Sequence, residues 1–170
     1  MRDFRSILNI LGLLLCIESL AMLIPMLVDL YYGNYDWVQF FYSSLLTFII
    51  GIVLYFSFRK KNIKLSIRQA FVLTISSWLL IALFGSIPFI YSVSSLSYTD
   101  AFFESVSGIT TTGATVISNL DSLSEGILIW RSLLQWFGGI GIIVLAMAIL
   151  PTLQIGGMQL LHMEHDDPYE

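Results

Sequence analysis

Four long apolar runs, separated by short polar stretches, set the pattern of this 170-residue chain. They cover approximately residues 7–30, 37–58, 70–90 and 126–150. A helix needs roughly 20 apolar residues to cross a hydrocarbon core about 30 Å thick, and each run reaches that length. The pattern therefore predicts an all-α integral membrane protein with four spanning helices.

A further stretch, residues 99–114, lies between the third and fourth runs and is too short and too polar to cross a bilayer. Irregular backbone is tolerated at membrane depth only where it is buried in protein or lines a water-filled path, because an unpaired peptide group facing lipid costs several kcal/mol. The arrangement predicts a re-entrant pore loop. The alternative is a polar loop on the outer surface.

The first half of this pore loop is predicted to be a short helix over residues 100–107. Ser97 or Thr99 is the expected N-cap, and Gly108 is expected to end the helix. The C-terminal carbonyls of a helix carry a partial negative charge. A helix that enters from one face and stops midway therefore favours a cation near the membrane centre.

The second half, residues 108–115, is predicted to be extended, because β-branched threonines favour that backbone. Gly113 is predicted at positive φ, which glycine adopts at little cost. Such a backbone can turn successive carbonyl oxygens toward one axis, where they replace the hydration shell of an ion. The candidate ion-binding residues are Thr110, Thr111, Thr112 and Gly113.

The basic residues indicate the orientation of the chain. Seven of the eight Lys and Arg residues precede the first run or lie between the second and third, and the positive-inside rule assigns these segments to the cytoplasm. These residues are Arg2, Arg5, Arg59, Lys60, Lys61, Lys64 and Arg68. The N-terminus is therefore predicted inside, and the pore loop enters from the outer face.

The eighth basic residue, Arg131, lies within the fourth run. An arginine inside a membrane is costly unless it faces protein and is paired. Glu104 in the short helix is the first candidate partner, with Asp121 and Glu125 behind it, and such a pair would brace the pore helix. The alternative is an arginine that extends to the outer headgroups.

Glycines in the middle of the fourth run indicate close packing against another helix, since each costs up to about 1 kcal/mol relative to alanine in a helix. A gating hinge is the alternative. The glycines are Gly138, Gly139 and Gly141. Pro88, with its neighbours Gly85 and Ser86, is predicted to loosen or bend the third span. A buried charge such as Glu18 in the first span marks either an ion path or a polar contact between helices, and we expect the contact.

Other classes of protein lack support in the sequence. No stretch interleaves basic with aromatic residues, so a nucleic-acid partner is not expected. No nucleophile–base pair, phosphate-cradling loop or catalytic dyad stands out, so we expect neither an enzyme nor a cofactor. The single cysteine, Cys16, cannot form a disulfide within the chain.

The motifs of the pore loop and the fourth run carry a family resemblance. Residues 107–115, Ser-Gly-Ile-Thr-Thr-Thr-Gly-Ala-Thr, together with Trp-Arg-Ser at 130–132 and Gln-Trp-Phe-Gly-Gly-Ile-Gly at 135–141, closely resemble the first pore repeat of the TrkH-type potassium uptake proteins. Further matches lie at 22–26 and 156–160. The resemblance covers nearly the whole chain.

This resemblance implies an architecture of four linked repeats, each helix–pore loop–helix, around one pore, preceded by two extra helices. Residues 1–65 then form the two N-terminal spanning helices with a basic cytoplasmic loop. Residues 66–155 form the first pore repeat, and residues 156–170 a cytoplasmic tail that links to a second repeat. A carbonyl ring needs about four strands around the ion, and only one is present here. We therefore expect a fragment of a longer transporter rather than a one-repeat channel.

The resemblance also implies a function, that of a pore-forming subunit for K⁺ uptake in the bacterial cytoplasmic membrane. It places K⁺ at Thr111, Thr112 and Gly113, with Glu104 and Arg131 as filter support. It implies no cofactor beyond the transported ion, contact with membrane lipid, a homodimer and a cytosolic nucleotide-binding regulatory subunit. Channel and ion-coupled symport remain open.

Two alternatives to potassium transport remain. The first is a sodium or mixed-cation transporter of the same superfamily. In related plant transporters a serine at the position of Gly113 accompanies sodium preference, so the glycine here favours potassium. The second is a membrane scaffold whose polar loop packs but passes no ion.

Overall fold

A computed structural model describes residues 4–59, 66–93 and 96–165 of the chain. The predicted cytoplasmic loop at 60–65 and the last residues of the predicted tail, 166–170, lie outside the described residues. All regular structure within the described residues is helical.

Four segments of the described chain are long and apolar enough to cross a membrane: Phe4–Tyr32, Trp37–Ser57, Arg68–Ser92 and Glu125–Val144. They coincide with the four apolar runs of the sequence to within a few residues, except at the end of the fourth. The predicted set of four spanning segments is confirmed.

The first spanning segment consists of two helices, α1 (Phe4–Ala21) and α2 (Leu23–Tyr32). The break between them lies at Met22. Pro25 causes it, because proline has no N–H to donate to the carbonyl of the residue four positions earlier, Ala21.

The second spanning segment is helix α3 (Trp37–Ser57), which packs along α1. Two side chains connect the pair through hydrogen bonds. Asn9 Nδ2 donates to the carbonyl of Tyr55 at 2.8 Å, and Ser44 Oγ donates to the carbonyl of Ser19 at 2.8 Å. Polar contacts of this kind help to hold transmembrane helices together.

The third spanning segment is also divided, into α4 (Ile67–Gly85) and α5 (Ile87–Ser92). Helix α4 begins at the N-cap Ser66 with a capping box. The helix is interrupted at Ser86, two residues before Pro88, where the missing proline N–H removes a helical hydrogen bond. The predicted loosening of the span at these residues is confirmed.

The short re-entrant helix, α6 (Tyr98–Ile109), begins at the predicted N-cap Ser97. Ser97 and Asp100 form a capping box, in which each side chain accepts a hydrogen bond from the other's backbone N–H at 3.2 Å. The predicted end at Gly108 is wrong, because the helix continues to Ile109. Gly108 serves close packing instead: a Cβ at this position would lie 3.0 Å from Cβ of Leu134.

The last helix, α7 (Glu125–His165), follows a 3₁₀ turn at Leu120–Ser122. The fourth span is predicted to end at residue 150, but the helix continues through Pro151 to His165. Pro151 removes one backbone hydrogen bond but does not end the helix. The first ten residues of the predicted tail, 156–165, are therefore helical.

The buried core lies between the N-terminal helices and the pore repeat. Trp130 of α7 packs edge-to-face on Phe40 of α3, with ring centroids 6.4 Å apart, and its Nε1 donates to the carbonyl of Gly85 at 2.9 Å. Its buried hydrophobic neighbours are Ala21, Met22, Phe89, Val93, Ala101, Ile127 and Leu134. This cluster fixes the start of α7 against the N-terminal helices.

Candidate functional site

The loop after α6 begins with a tight turn. The backbone N–H of Thr110 donates to the carbonyl of Val106, and that of Thr111 to the carbonyl of Gly108, each at 2.9 Å. Thr111 has a φ of 59°, which is rare for a β-branched residue. The stretch without regular structure therefore begins only at Thr112, so the prediction of extended backbone from residue 108 is wrong for its first four residues.

Gly113 has a φ of 75°, as predicted. The N–H groups of Thr112 and Gly113 donate to the carbonyl of Ser107, at 3.0 and 3.3 Å, while Ser107 Oγ donates to the carbonyl of Ala114 at 2.6 Å. A Cβ on Gly113 would come no closer than 3.9 Å to Gln135. The glycine is therefore required for its conformation and not for lack of space.

The carbonyl oxygens of the four predicted ion-binding residues accept no hydrogen bond from any described residue; these residues are Thr110, Thr111, Thr112 and Gly113. The next carbonyl, of Ala114, is occupied by Ser107. Residues 111–116 are exposed on this chain. Carbonyl oxygens without a protein donor are available to coordinate a cation.

The buried side chain of Glu104 fixes the C-terminal part of the loop, residues 115–117. Its Oε1 accepts three hydrogen bonds: from Oγ1 of Thr115 at 2.5 Å, from the N–H of Val116 at 2.6 Å and from the N–H of Ile117 at 3.4 Å. One carboxylate oxygen thus fixes three consecutive residues.

The other oxygen of Glu104, Oε2, lies 3.2 Å from Nε of Arg131 on α7. The predicted pair is therefore present, and Asp121 and Glu125 are not the partners. Only 16% of the arginine side chain is exposed, which contradicts the alternative of an arginine extended to the outer headgroups. A charge-assisted hydrogen bond joins the short helix to the fourth span.

Of the three glycines in the middle of α7 that are predicted to pack closely, one does and two do not. A Cβ on Gly138 would collide with the carbonyl oxygen of Ile109, the last residue of α6. A Cβ on Gly139 would meet nothing within 4 Å, and one on Gly141 would be in ordinary contact with Trp78 at 3.7 Å. Close packing is confirmed for Gly138 alone.

Two residues that shape the site are not predicted from the sequence. Ser107 lies three positions after Glu104, hence on the same face of α6, and that spacing could have identified it. Asp29, a buried carboxylate of α2, accepts a hydrogen bond from the N–H of Gly126 at 2.8 Å. No local sequence pattern indicates this contact, because the two residues are 97 positions apart.

Glu18 does not make the polar contact expected of it. Its side chain is buried, and neither carboxylate oxygen has a hydrogen-bond partner among the described residues. It lies beside Gly85 of α4, where a Cβ would be 3.1 Å from Oε1 of Glu18 and 2.8 Å from Oγ of Ser105.

Comparison with known proteins identifies relatives along nearly the whole chain. The family model TrkH, described as a cation transport protein, matches residues 37–169. The Trk system potassium uptake protein TrkH of Escherichia coli K12 is 47% identical over 166 residues, which are 97% of this chain and 34% of that protein. TrkI of Halomonas elongata, a potassium uptake protein by name, is 40% identical over 167 residues, 98% of this chain and 34% of that protein.

A solved structure shares the fold. The crystal structure of the potassium transporter TrkH from Vibrio parahaemolyticus matches with a TM-score of 0.84 at 47% identity, covering 91% of this chain and 33% of that one. The chain thus spans about a third of the length of these relatives. The predicted fold class, two N-terminal spanning helices followed by one helix–pore loop–helix repeat of a multi-pass membrane protein, is confirmed. The chain belongs to the TrkH family of cation transport proteins.

Proposed function

We propose that this chain supplies the first filter strand of a potassium uptake transporter. Its relatives are named potassium uptake proteins. The observation that carries the proposal is the set of four consecutive carbonyl oxygens, of Thr110 to Gly113, that accept no hydrogen bond from the described residues. Hydrogen bonds to Ser107 and Glu104 hold the loop against the protein, so these carbonyl oxygens are fixed in place without being occupied.

Carbonyl coordination fits the site better than carboxylate coordination. Both oxygens of Glu104 are already engaged, one by the loop and one by Arg131. The carboxylate is therefore a support for the filter and not an ion ligand. K⁺ would bind at Thr111, Thr112 and Gly113, where carbonyl oxygens replace its hydration shell.

The position of α6 adds a second favourable contribution. The carbonyl end of this helix leads directly into the loop, and the partial negative charge of a helix C-terminus favours a cation nearby. A complete ring needs about four such strands, so the proposal places this chain as one quarter of the ion path.

The proposal extends to the cellular setting. We place the chain in the bacterial cytoplasmic membrane with its N-terminus inside, as the distribution of lysine and arginine favours. A homodimer of the complete transporter and a cytosolic nucleotide-binding regulatory subunit are part of the same proposal, carried by family membership alone.

The test exchanges Gly113 for serine in the full-length gene product and measures K⁺ uptake with and without competing Na⁺. We expect Gly113→Ser to lower the preference for K⁺ over Na⁺ several-fold. The matched control is Gly33→Ser. Gly33 has a φ of 78° and open space around it, so a serine there carries the same backbone strain outside the loop of residues 110–113. The control should keep the wild-type preference.

The outcomes separate the alternatives. Equal uptake of Na⁺ and K⁺ by the unaltered protein would favour a mixed-cation transporter. Absence of any cation flux, with Gly113→Ser indistinguishable from Gly33→Ser, would favour a scaffold whose loop passes no ion.

A further inference from the structure

The end of helix α2 is joined to the start of helix α7 by a buried carboxylate. Asp29 is fully buried, and its Oδ1 accepts a hydrogen bond from the N–H of Gly126, the second residue of α7, at 2.8 Å. The first N–H groups of a helix have no partner within the helix, and an anion there is favoured by the helix dipole. Asp29 thus caps α7 from another spanning segment.

A second side chain reinforces the junction. Nδ2 of Asn34 donates to Oδ1 of Asp29 at 3.0 Å and to Oε2 of Glu125, the first residue of α7, at 2.6 Å. Asn34 is held in turn by its backbone N–H, which donates to the carbonyl of Asp29 at 2.9 Å. The loop after α2 and the start of α7 therefore share one hydrogen-bond network.

The contact between Asp29 and Gly126 leaves no room for a side chain at position 126. A Cβ on Gly126 would collide with the carboxylate of Asp29. The absence of a side chain at this position lets the carboxylate approach the helix end directly.

The same helix carries the support of the filter loop. Arg131 follows Gly126 by five residues, about 7.5 Å along the helix axis. Arg131 pairs with Glu104, and Glu104 holds the N–H groups of Val116 and Ile117. Hydrogen bonds and a short stretch of α7 thus connect Asp29 to the filter loop.

We propose that the two N-terminal spanning helices act as a clamp that positions the filter, and that Asp29 is the positioning residue of this clamp. It sets the start of α7 and thereby the location of Arg131 and Glu104. The inference rests on the proposed function in one respect, since it takes the loop of Thr110 to Gly113 to be the ion filter. On this proposal the N-terminal helices affect ion preference. Helices that only anchored the chain in the membrane would not do so.

The test compares three variants of the full-length gene product. Asp29→Ala removes the cap. Asp29→Asn keeps Oδ1, the oxygen that accepts both hydrogen bonds. Asp36→Ala is the matched control, because Asp36 lies in the same loop, is half-buried and takes no part in this network.

Three quantities are measured for each variant: the amount of protein in the membrane, the KM for K⁺ uptake and the preference for K⁺ over Na⁺. We expect Asp29→Ala to raise KM and lower the K⁺ preference several-fold. Asp29→Asn and Asp36→Ala should retain both wild-type values. A merely structural role would lower the amount of protein and leave KM and preference unchanged, and that result would overturn the proposal.

A further measurement does not depend on transport. Amide hydrogen exchange at Val116 and Ile117 should become several-fold faster in Asp29→Ala than in Asp36→Ala, because the support from Glu104 is loosened. Unchanged exchange at these amides would overturn the clamp even if transport were impaired. Faster exchange in a protein that passes no K⁺ would instead contradict only the proposed function.

Discussion

The carboxylate of Glu104 connects two elements that are separate in sequence: Oε2 pairs with Arg131 of α7 at 3.2 Å, and Oε1 accepts the N–H of Val116 at 2.6 Å. The charge is buried, and it is both paired and hydrogen-bonded, which is the condition under which a buried ion is tolerated. The short helix, the fourth span and the loop after α6 therefore meet at one side chain.

The first prediction concerns this pair. Arg131→Met alone should destabilise the protein by about 3–5 kcal/mol, because it leaves the buried carboxylate of Glu104 without its counter-charge. Adding Glu104→Gln should recover part of that loss, since a neutral amide needs no counter-charge. Thermal unfolding of the purified full-length protein in detergent measures the stability of the two single variants and of the double variant.

The control for the first prediction is Asp121→Asn, which removes an exposed carboxylate that is not the partner of Arg131. It should change neither the unfolding temperature of the wild-type protein nor that of Arg131→Met. Strictly additive effects of Arg131→Met and Glu104→Gln would show that the two side chains are not coupled in the folded protein.

The second prediction uses two neighbouring glycines of α7. Gly138→Ala should destabilise the protein by about 1–3 kcal/mol, because the new methyl group collides with the carbonyl of Ile109 and forces the end of α6 to shift. Gly139→Ala has open space and should gain up to about 1 kcal/mol from helix propensity. Thermal unfolding measures both, and a similar response at the two positions would contradict the contact.

The third prediction concerns the strained turn at Thr111. A positive φ costs an L-residue with a side chain roughly 1–2 kcal/mol, so Thr111→Gly should leave the stability of the protein unchanged or raise it by up to about 1 kcal/mol after the entropic cost of glycine. The added freedom should lower the preference for K⁺ over Na⁺, because the carbonyl directions are no longer fixed. Thermal unfolding measures the change in stability, and competitive uptake of K⁺ and Na⁺ measures the change in ion preference.

Asn119 offers the matched control for Thr111. It has a φ of 72°, but asparagine adopts this conformation more readily than threonine and the residue lies beyond the filter. Asn119→Gly should change neither stability nor ion preference appreciably. If Thr111→Gly keeps the full K⁺ preference, the strain at Thr111 is not part of the filter geometry.

The sequence predicted those features that depend on local composition. Apolar runs of spanning length gave the four membrane segments, because the bilayer fixes the required length. The N-cap at Ser97 and the positive φ of Gly113 followed from residue chemistry alone. The partner of Arg131 was predictable because a buried arginine needs a carboxylate and few are available.

The features that were missed depend on tertiary contacts. Gly108 looks like a helix terminator, yet it is buried against Leu134, and the turn falls at Thr111 instead. The cap of α7 by Asp29 joins distant parts of the chain, so no periodicity reveals it. Glu18 remains a buried carboxylate whose lack of a partner among the described residues no sequence pattern explains.

The last prediction concerns sufficiency. This chain offers one loop, and residues 111–116 are exposed on it, whereas a carbonyl ring needs about four strands. Expressed alone, the 170-residue chain should insert in the membrane but fail to restore growth of a potassium-uptake-deficient host at low K⁺. The same segment within a transporter of four repeats should restore growth, and its Gly113→Asp variant should not. Rescue by the 170-residue chain would mean that about four copies assemble in a closed ring, since cyclic symmetry is the usual way for one chain to supply equivalent strands.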